Sequence, residues 1–435
     1  MEFKKNTAHL EENNPLKKFK KVLLMGYNGA NNTGSETRLI SIIEDVRNVL
    51  GEDVELTIPT LNEKNLRRYI KEDKYLKIVP VPSIYFLALK NIVKKQDLVL
   101  LVEGSCYMDT WTSALLWAFL WTTKCASNYG IPCIAYAVDS GELSRFNRFL
   151  VRREASKTDL ILTRNTYAGD RLIDIGVNAP IKNTADCAFT FETNIKDQNI
   201  LKKIWNSENQ DSANGFVGIA VVDFHLWPVV IRPWGRKEDL YKWPYYFSRS
   251  KSRVLKSRKL SVKWANEADK IVEQYNKNLI IICMEELDET LAHEIKNKMK
   301  HSGRAMIVSA RAYNASQMTE VLRNLELLIT SRYHAGVLSM KSQVPQIGIG
   351  HDPRLKGLYK DIGIDKEFLL SYPKSDSKID EIWKILSKRV DQLIEDPGPA
   401  KELIEKSYQK QFKLAQTNKQ ILGKFLSNHV KDVKV

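Results

Sequence analysis

The chain has 435 residues, of which 43% are hydrophobic and 9% aromatic. This composition excludes a disordered protein, and the length exceeds one ordinary domain core, so two domains are expected. The formal net charge of +15 favours an acidic partner: a phosphorylated metabolite, a nucleotide, an anionic membrane surface or a nucleic acid.

The five cysteines are scattered and never form a CxxC pair, which predicts reduced thiols and no disulfide framework or metal site. The lysine-rich start of the chain lacks an apolar segment and predicts a flexible basic arm over residues 1–20. The longest apolar run, residues 114–121, is far shorter than the roughly 20 residues of a membrane span. We therefore expect a soluble, cytoplasmic protein.

Strands and helices alternate through the first half of the chain. A strand at residues 21–25 leads into residues 26–35, a loop with three glycines and three asparagines, and then into a helix that ends at residue 50. Such a loop either brings backbone close to a ligand or simply makes a tight turn. Further strands are predicted at residues 54–58, 76–79, 97–102, 132–138, 159–163 and 182–185, with helices at 110–129, 144–157 and 166–175.

A second alternation follows a polar stretch, residues 192–214, that is typical of a linker. Strands are predicted at 217–222, 278–283, 306–308, 327–329 and 345–350, and helices at 261–276, 288–300, 315–324, 377–395 and 400–426. Alternation of this kind predicts parallel sheets covered by helices on both faces. The expected fold is α/β, with two Rossmann-like doubly wound domains (21–195 and 215–395) facing across a cleft, and a C-terminal helix and tail over 400–435. Ligands are expected in that cleft, at the strand ends.

Residues 223–259 interrupt the alternation with an aromatic and basic insertion. Tryptophans such as Trp227, Trp234 and Trp243 are interleaved with arginines, and a basic run occupies residues 249–259. Aromatic rings can stack on sugars or lie at a lipid interface, and cations suit anionic head groups. Single-stranded nucleic acid, or a packed insertion with a solvated charge run, also fits this mixture.

The stretch of residues 325–352 carries the candidate reaction centre. A buried strand runs through the turn Thr330–His334 into a helix predicted to open at Ala335. In an extended turn, Arg332 and His334 would point the same way, beside the free N–H groups of the helix start. Arginine can grip a carboxylate or phosphate and histidine can move a proton, so a small anionic substrate is expected here. The pair could instead only cap and brace the turn.

Several segments together carry a resemblance to a known family. They are Asn32-Thr33-Gly34-Ser35-Glu36, the turn 104–109, the strand end 159–164, the segment 184–189, residues 284–288, Ser331-Arg332-Tyr333-His334-Ala335 and residues 345–352. In this order and spacing the chain resembles the polysaccharide pyruvyl transferases over residues 22–364. The resemblance implies a two-domain GT-B type fold.

The resemblance also implies a reaction. Phosphoenolpyruvate would be the donor and co-substrate, with no further cofactor, and a sugar hydroxyl pair of a glycan or lipid-linked sugar would be the acceptor. The products would be a pyruvyl ketal and phosphate. Two departures concern the acceptor side: Gly34-Ser35 stands where the family usually has Gly-Asp, and Glu103-Gly104-Ser105 replaces a triple glycine.

Roles for individual residues follow from this chemistry. The donor's carboxylate and phosphate need cations, for which Arg332 and the helix start at Ala335 are the first candidates and Arg232 and Arg354 weaker ones. His334 would act as the acid or as a phosphate ligand. On the acceptor side, which we place in the first domain, Asp109 would be the base.

The acceptor itself is expected to contact Asn32, Gly34, Ser35 and the insertion residue Trp234. Asp186 and Asp352, at strand ends, are expected to be structural. The insertion would meet a lipid-linked acceptor at the inner face of an anionic membrane. Two other functions remain open: a GT-B glycosyltransferase that uses a nucleotide sugar, and a basic nucleic-acid-binding protein, although no nucleic acid partner is expected.

Overall fold

The computed structural model describes residues 18–207, 212–225, 229–350, 353–372 and 378–432. Three sequence predictions therefore fall wholly or mostly outside the described residues: the basic arm at 1–20, Trp227 of the insertion, and Asp352. The five cysteines are free and buried.

Seven parallel strands form the first sheet, in the order β3-β2-β1-β4-β5-β6-β7. They are β1 (Lys21–Met25), β2 (Glu55–Thr60), β3 (Leu76–Pro80), β4 (Leu98–Leu101), β5 (Cys133–Val138), β6 (Leu160–Thr163) and β7 (Ile181–Asn183). The strand order reverses between β1 and β4, so the loops after these two strands meet at the carboxyl edge of the sheet. Open α/β sheets bind their ligands at such a point.

Helices cover both faces of this sheet, which keeps the central strands fully buried. They are α1 (Thr33–Leu50), α2 (Glu63–Leu66), α3 (Phe86–Val93), α4 (Ser113–Asn128), α5 (Arg145–Ala155) and α6 (Thr166–Ile175). The apolar helix α4 packs between α3 and α5, with Phe119 and Leu116 in the core, as predicted. Among the described residues, no helix combines the length and apolar character that crossing a membrane would require.

The second half of the chain builds a six-stranded parallel sheet in the order β13-β12-β8-β14-β15-β16 and a small antiparallel sheet in the order β10-β11-β9. Their strands are β8 (Phe216–Ala220), β9 (Val229–Ile231), β10 (Leu240–Lys242), β11 (Tyr245–Phe247), β12 (Asn278–Cys283), β13 (Ala305–Ser309), β14 (Leu327–Thr330), β15 (Gln346–Gly350) and β16 (Leu369–Ser371). The order reverses between β8 and β14, so the loop after β14, which carries Arg332, lies at the second switch point.

The helices of this half are α7 (Ile200–Asn206), α8 (Lys251–Tyr275), α9 (Glu289–Lys298), α10 (Ala315–Arg323), α11 (Tyr333–Ser339), α12 (Pro353–Asp361), α13 (Asp365–Phe368) and α14 (Ile379–Glu395). Helices α7 and α8 are among those that differ from the sequence prediction. The predicted linker contains α7, because Leu201 and Trp205 lie four apart and enter the second core. The basic run before residue 260 forms the first turns of α8, where Ser250 caps the helix by accepting from the Arg253 N–H.

A long C-terminal helix, α15 (Gly398–Asp432), crosses from the second core to the first. Pro399 is compatible with its first turn, where the missing N–H has no helical partner in any case. Tyr408 packs in the second core, whereas Leu422 and Leu426 are buried in the first. The helix thus joins the two α/β units, whose exact boundaries stay a prediction.

Candidate active site

The loops at the two switch points contact each other directly. The Thr33 N–H donates to the Met284 carbonyl oxygen at 2.9 Å, and the Glu286 N–H donates to the Asn31 carbonyl oxygen at 3.2 Å. The Asn31 side chain also donates to Glu286 Oε2 at 2.7 Å. The loop after β1 is therefore held against the loop after β12, and the space beside this contact is enclosed by both domains.

That space is a cavity of about 280 Å³, close to the lower end of the volumes usual for small-molecule sites. Six of the ten residues predicted for the site line it: Asn32, Gly34, Ser35, Arg332, His334 and Arg354. The first three come from the first domain and the last three from the second. The predicted acceptor loop and the predicted donor turn therefore lie together in the cleft between the two doubly wound sheets.

Arg332 and His334 do not point the same way, contrary to the sequence prediction. Helix α11 begins at Tyr333 and not at Ala335, with Arg332 as its extended N-terminal cap (φ −106°, ψ 122°). His334 is consequently helical, and the two-residue spacing of an extended segment does not apply. Arg332 turns toward the loop after β12, whereas His334 turns toward Gly34.

His334 is packed tightly between the two domains. A Cβ added to Gly34 would lie 2.0 Å from His334 Nδ1, so no side chain fits at position 34. On its other side, His334 Nε2 lies 3.5 Å from Asp186 Oδ2. Burial lowers the pKa of His334 below its ordinary value even though Asp186 opposes the shift. The imidazole is therefore neutral at neutral pH.

Asp186 organises the wall behind His334. Its Oδ1 lies 2.9 Å from Arg38 Nη1 in a buried ion pair, and its Oδ2 accepts a hydrogen bond from Arg164 Nη1 at 2.9 Å. Although burial alone would raise it, Arg38, His334 and Arg164 hold the pKa of Asp186 well below its usual range. Arg164 also lies over the Tyr333 ring, 3.8 Å from its centroid. These contacts fit the structural role predicted for Asp186.

Arg332 is paired with two buried carboxylates. Its Nη1 lies 3.1 Å from Glu285 Oε2, and its Nη2 pairs with Asp288. Burial raises the pKa of Asp288 to about 7 and raises that of Glu285, although Arg332 opposes both shifts. Arg332 Nε is buried and has no hydrogen-bond partner among the described residues. The guanidinium is thus rigidly oriented before any ligand binds.

The other four predicted residues do not line the cavity. Asp109 Oδ2 accepts from the Ser144 N–H at 2.9 Å and from Asn147 Nδ2 at 2.7 Å, so it secures the start of α5. Arg232 lies over the Tyr246 ring at 4.8 Å, inside the insertion. Trp234 is 79% exposed, and Ala335 is buried within α11. None of these four side chains forms part of the cavity wall, and the roles predicted for them stay predictions.

Glu103 is one of the cavity residues to which the sequence analysis gave no role in the site, as are Arg164 and Glu285. It follows β4 at the first switch point, and its carboxylate accepts from Ser35 Oγ at 3.0 Å, Ser105 Oγ at 3.3 Å and the Tyr27 N–H at 3.3 Å. Within the described part of the chain, Glu103 and Glu285 are the carboxylates that line the cavity. The signal was present, because Glu103 comes just after a buried strand, as Arg332 does.

The sequence profile of the polysaccharide pyruvyl transferase family matches residues 31–353, a span that contains every residue of the cavity named above except Tyr27 and Arg354. The chain belongs to this family. The resemblance carried by its motifs is therefore confirmed. A comparison with curated protein sequences gives no significant match.

Solved structures show the fold of this pyruvyl transferase family member. It superimposes on a putative UDP-N-acetylglucosamine 2-epimerase from Listeria monocytogenes with a TM-score of 0.57 at 13% identity, covering 95% of this chain and 97% of that one. A UDP-GlcNAc 2-epimerase from Neisseria meningitidis bound to UDP-GlcNAc gives 0.55 at 10% identity, with 93% and 99% covered. A glycosyltransferase from Rickettsia africae gives 0.54 at 11%, with 95% and 98% covered. At these identities the likeness concerns the fold, and the predicted GT-B type is confirmed.

A second cavity, of about 420 Å³, adjoins the first. It lies between the loop after β1, the start of α4 and the antiparallel sheet of the insertion, and its lining is mostly apolar. Tyr27, Trp111, Leu115 and Glu285 line both cavities. The Tyr27 and Tyr241 hydroxyls lie 2.8 Å apart across this space. The insertion is therefore a wall of the cleft as well as a surface feature.

Proposed function

We propose that this protein transfers a pyruvyl group from phosphoenolpyruvate to a hydroxyl pair of a cell-surface glycan or its precursor, forming a ketal and releasing phosphate. The observation that carries the proposal is that Arg332, Arg354 and His334 line one cavity at the facing strand ends of a member of the polysaccharide pyruvyl transferase family. The family supplies the reaction class, and the cavity supplies groups suited to a small dianionic donor.

Three guanidinium groups on the cavity wall, those of Arg164, Arg332 and Arg354, support donor binding. Phosphoenolpyruvate carries a carboxylate and a phosphate, both of which arginine binds in bidentate fashion. Burial raises the pKa of Asp288 to about 7, so this carboxyl beside Arg332 is partly protonated near neutral pH. The guanidinium groups match the two anionic groups of the donor, which a neutral sugar lacks.

His334 is proposed as a hydrogen-bond donor to the departing phosphate. Burial lowers the pKa of this histidine, which favours the neutral imidazole. A neutral imidazole can donate a hydrogen bond from its one N–H, but it is a much weaker acid than imidazolium. His334→Gln separates the two roles, because glutamine donates a hydrogen bond but does not titrate. Turnover close to that of the wild type would fit a phosphate ligand, whereas loss of turnover together with loss of the wild-type pH profile would make His334 the acid.

Glu103 is proposed as the base for the acceptor, in place of Asp109. As a sugar hydroxyl adds to C2 of the donor, its proton passes to the Glu103 carboxylate, and the protonated Glu103 gives a proton to C3, which becomes the methyl group. The C2–O bond to phosphate then breaks with its electron pair on the phosphate oxygen. The second hydroxyl adds to C2, and its proton passes by way of Glu103 to the departing phosphate. Glu103→Gln should keep donor binding and lose transfer, while the exposed control Glu142→Gln should retain both.

The experiment for the whole proposal is incubation with phosphoenolpyruvate and a panel of glycans that offer hydroxyl pairs. The proposal requires phosphate release that depends on an acceptor, together with stabilisation of the protein by phosphoenolpyruvate in a thermal shift assay. Stabilisation by nucleotide sugars alone would favour the glycosyltransferase alternative. Oligonucleotide binding that weakens steeply with salt would favour the nucleic-acid alternative.

The insertion is proposed as the part of the acceptor site that faces a membrane-borne, lipid-linked sugar. Trp234 and Trp243 are 79% and 53% exposed on it, next to the cations Arg236 and Lys242. Interfacial aromatics beside cations suit anionic lipid surfaces. Trp234→Ala combined with Trp243→Ala should weaken transfer to a lipid-linked acceptor and spare transfer to its water-soluble analogue. Equal loss with both acceptors would contradict this part of the proposal.

A further inference from the structure

Helix α5 exposes both of its aromatic side chains and buries two of its polar ones. Its two phenylalanines, Phe146 and Phe149, are 62% and 57% exposed, whereas Asn147 and Glu154 are 1% and 3% exposed. A helix that packs on a sheet normally places apolar residues inward and polar residues outward. In α5 the outward face carries the larger apolar side chains, and the inward face carries an amide and a carboxylate.

The buried polar side chains of α5 have hydrogen-bond or ion-pair partners, so their burial is stable. Asn147 Nδ2 donates to Asp109 Oδ2 at 2.7 Å and to Ser113 Oγ at 2.8 Å, and its Oδ1 accepts from Trp117 Nε1 at 2.8 Å. Glu154 pairs with Arg153 at 2.6 Å and with Lys157 at 2.7 Å. Because packing against the sheet uses these groups and Val151, folding does not require phenylalanine at either exposed position.

The exposed rings are surrounded by cations. Helix α5 contains four arginines, Arg145, Arg148, Arg152 and Arg153, and its one acid, Glu154, is buried. Arg153 lies over the Phe149 ring at 5.6 Å. Ile173, on the neighbouring helix α6, is another exposed apolar residue, at 62%. Aromatic side chains flanked by arginines on one helix face are suited to the interface of an anionic bilayer, where rings enter the acyl boundary and guanidinium groups meet phosphates.

We propose that the outward face of α5 docks the protein on a membrane that contains anionic lipids. The hydrogen bonds of Asp109 tie the start of α5 to the loop after β4, and Met108 and Thr110 of that loop line the active-site cavity. A bilayer held by Phe146 and Phe149 would thus lie beside the acceptor wall of the cleft. Docking on a membrane requires neither the donor nor the acceptor, so it can be tested independently of the proposed reaction.

The test is sedimentation of the full-length protein with vesicles of phosphatidylcholine alone and with vesicles in which about a quarter of the lipid is phosphatidylglycerol. The wild type should bind the anionic vesicles, and binding should fall as salt is raised. Phe146→Ser combined with Phe149→Ser should weaken binding by about tenfold or more, since two interfacial rings are removed. Both side chains are exposed, so the thermal unfolding midpoint should stay unchanged.

Two controls locate the surface. Ile195→Ala removes an apolar side chain that is 79% exposed on a turn far along the chain, and it should bind vesicles as the wild type does. The pair Trp234→Ala and Trp243→Ala should retain most of the binding if α5 is the main contact. Wild-type protein that ignores anionic vesicles at low salt would overturn the proposal. Unchanged vesicle binding by the Phe146→Ser, Phe149→Ser variant would overturn it as well. If that variant bound vesicles normally but had lost affinity for an oligonucleotide, the surface would suit a nucleic acid and the proposal would also fail.

Discussion

Gly34 and His334 touch across the cleft, one from each domain, with the space for a Cβ at position 34 filled by the imidazole 2.0 Å away. The contact fixes the histidine at the one place where both sheets present their strand ends. Gly34 was predicted to bind the acceptor. In the structure it has a second role, because the absence of a side chain at position 34 leaves room for the ring of His334.

Gly34→Ala should therefore displace His334 and lower kcat/KM by about a hundredfold, the order of magnitude expected when a reacting group moves by roughly 1 Å. The variant should still fold, because Gly34 has no positive φ and lies in the first turn of α1, where alanine is compatible with the backbone. Gly303→Ala is the matched control, since a Cβ there meets nothing within 4 Å. Equal activity of the Gly34 variant and wild type would show that the position of His334 is unimportant.

Arg332→Met should destabilise the protein by about 3–5 kcal/mol, because it leaves two buried carboxyls without their cation. Glu285 and Asp288 already have pKa values raised by burial, and losing Arg332 raises both further. A raised acid pKa means that the folded state binds extra protons, so stability falls as pH rises. Urea denaturation at several pH values should show a steeper fall above pH 7 in the variant than in the wild type.

The comparison for that variant is Arg311→Met, since Arg311 is 63% exposed and pairs with Glu289 at 3.4 Å on the surface. It should cost about 1 kcal/mol or less. Asp288→Asn added to Arg332→Met should recover part of the stability without recovering activity. A similar loss in the Arg311 and Arg332 variants would contradict the buried network described here.

Glu36 should make the protein less stable as pH rises from about 5 to 8. Burial raises the pKa of Glu36 to about 8, although Arg68 opposes the shift, whereas the unfolded chain ionises near 4.5. In that window the folded state holds the proton and the unfolded state releases it, so the free energy of unfolding decreases with pH. Glu36→Gln should make this dependence shallower, because Asp288, whose pKa burial raises to about 7, still contributes to it. Glu52→Gln, at an 83% exposed carboxyl, should leave the dependence unchanged. If the free energy of unfolding changed with pH in parallel for the wild type and the Glu36 variant, this prediction would be refuted.

Leu422→Ala tests whether α15 completes the first core. Leu422 is fully buried there, and deleting its side chain should cost about 2–5 kcal/mol in chemical denaturation. Lys424→Ala changes an exposed residue two positions along the same helix and should have little effect. If both variants unfold at the same denaturant concentration, the helix does not pack on the first domain as described.

Much of the fold could be predicted from sequence, because the apolar strands and the intervening amphipathic helices repeat in both halves. Local sequence patterns did not predict the features of the fold that depend on tertiary contacts. Helix α7 looked like a polar linker because its two buried residues, Leu201 and Trp205, are few among polar neighbours. Helix α8 begins earlier than its hydrophobic pattern because Ser250 caps a basic first turn.

The candidate site was predictable in position and less so in detail. The loops with Gly34 and Arg332 follow buried strands, so the switch-point rule located them correctly. Whether a side chain enters the cavity depends on contacts that the sequence does not display. Asp109 is turned away by hydrogen bonds to α5, and Glu103 is turned inward by Ser35 and Tyr27. The direction of His334 depended on where α11 begins.

The most direct measurement is carbon-13 NMR of the product formed from phosphoenolpyruvate labelled at C2 and C3 in the presence of an accepted glycan. Pyruvyl ketal transfer predicts a quaternary C2 bonded to two sugar oxygens and a methyl C3, formed together with phosphate and about a hundredfold more slowly with Gly34→Ala. Label recovered only as free pyruvate, as unchanged donor, or as an enol ether bearing a methylene group would contradict pyruvyl ketal transfer by this protein.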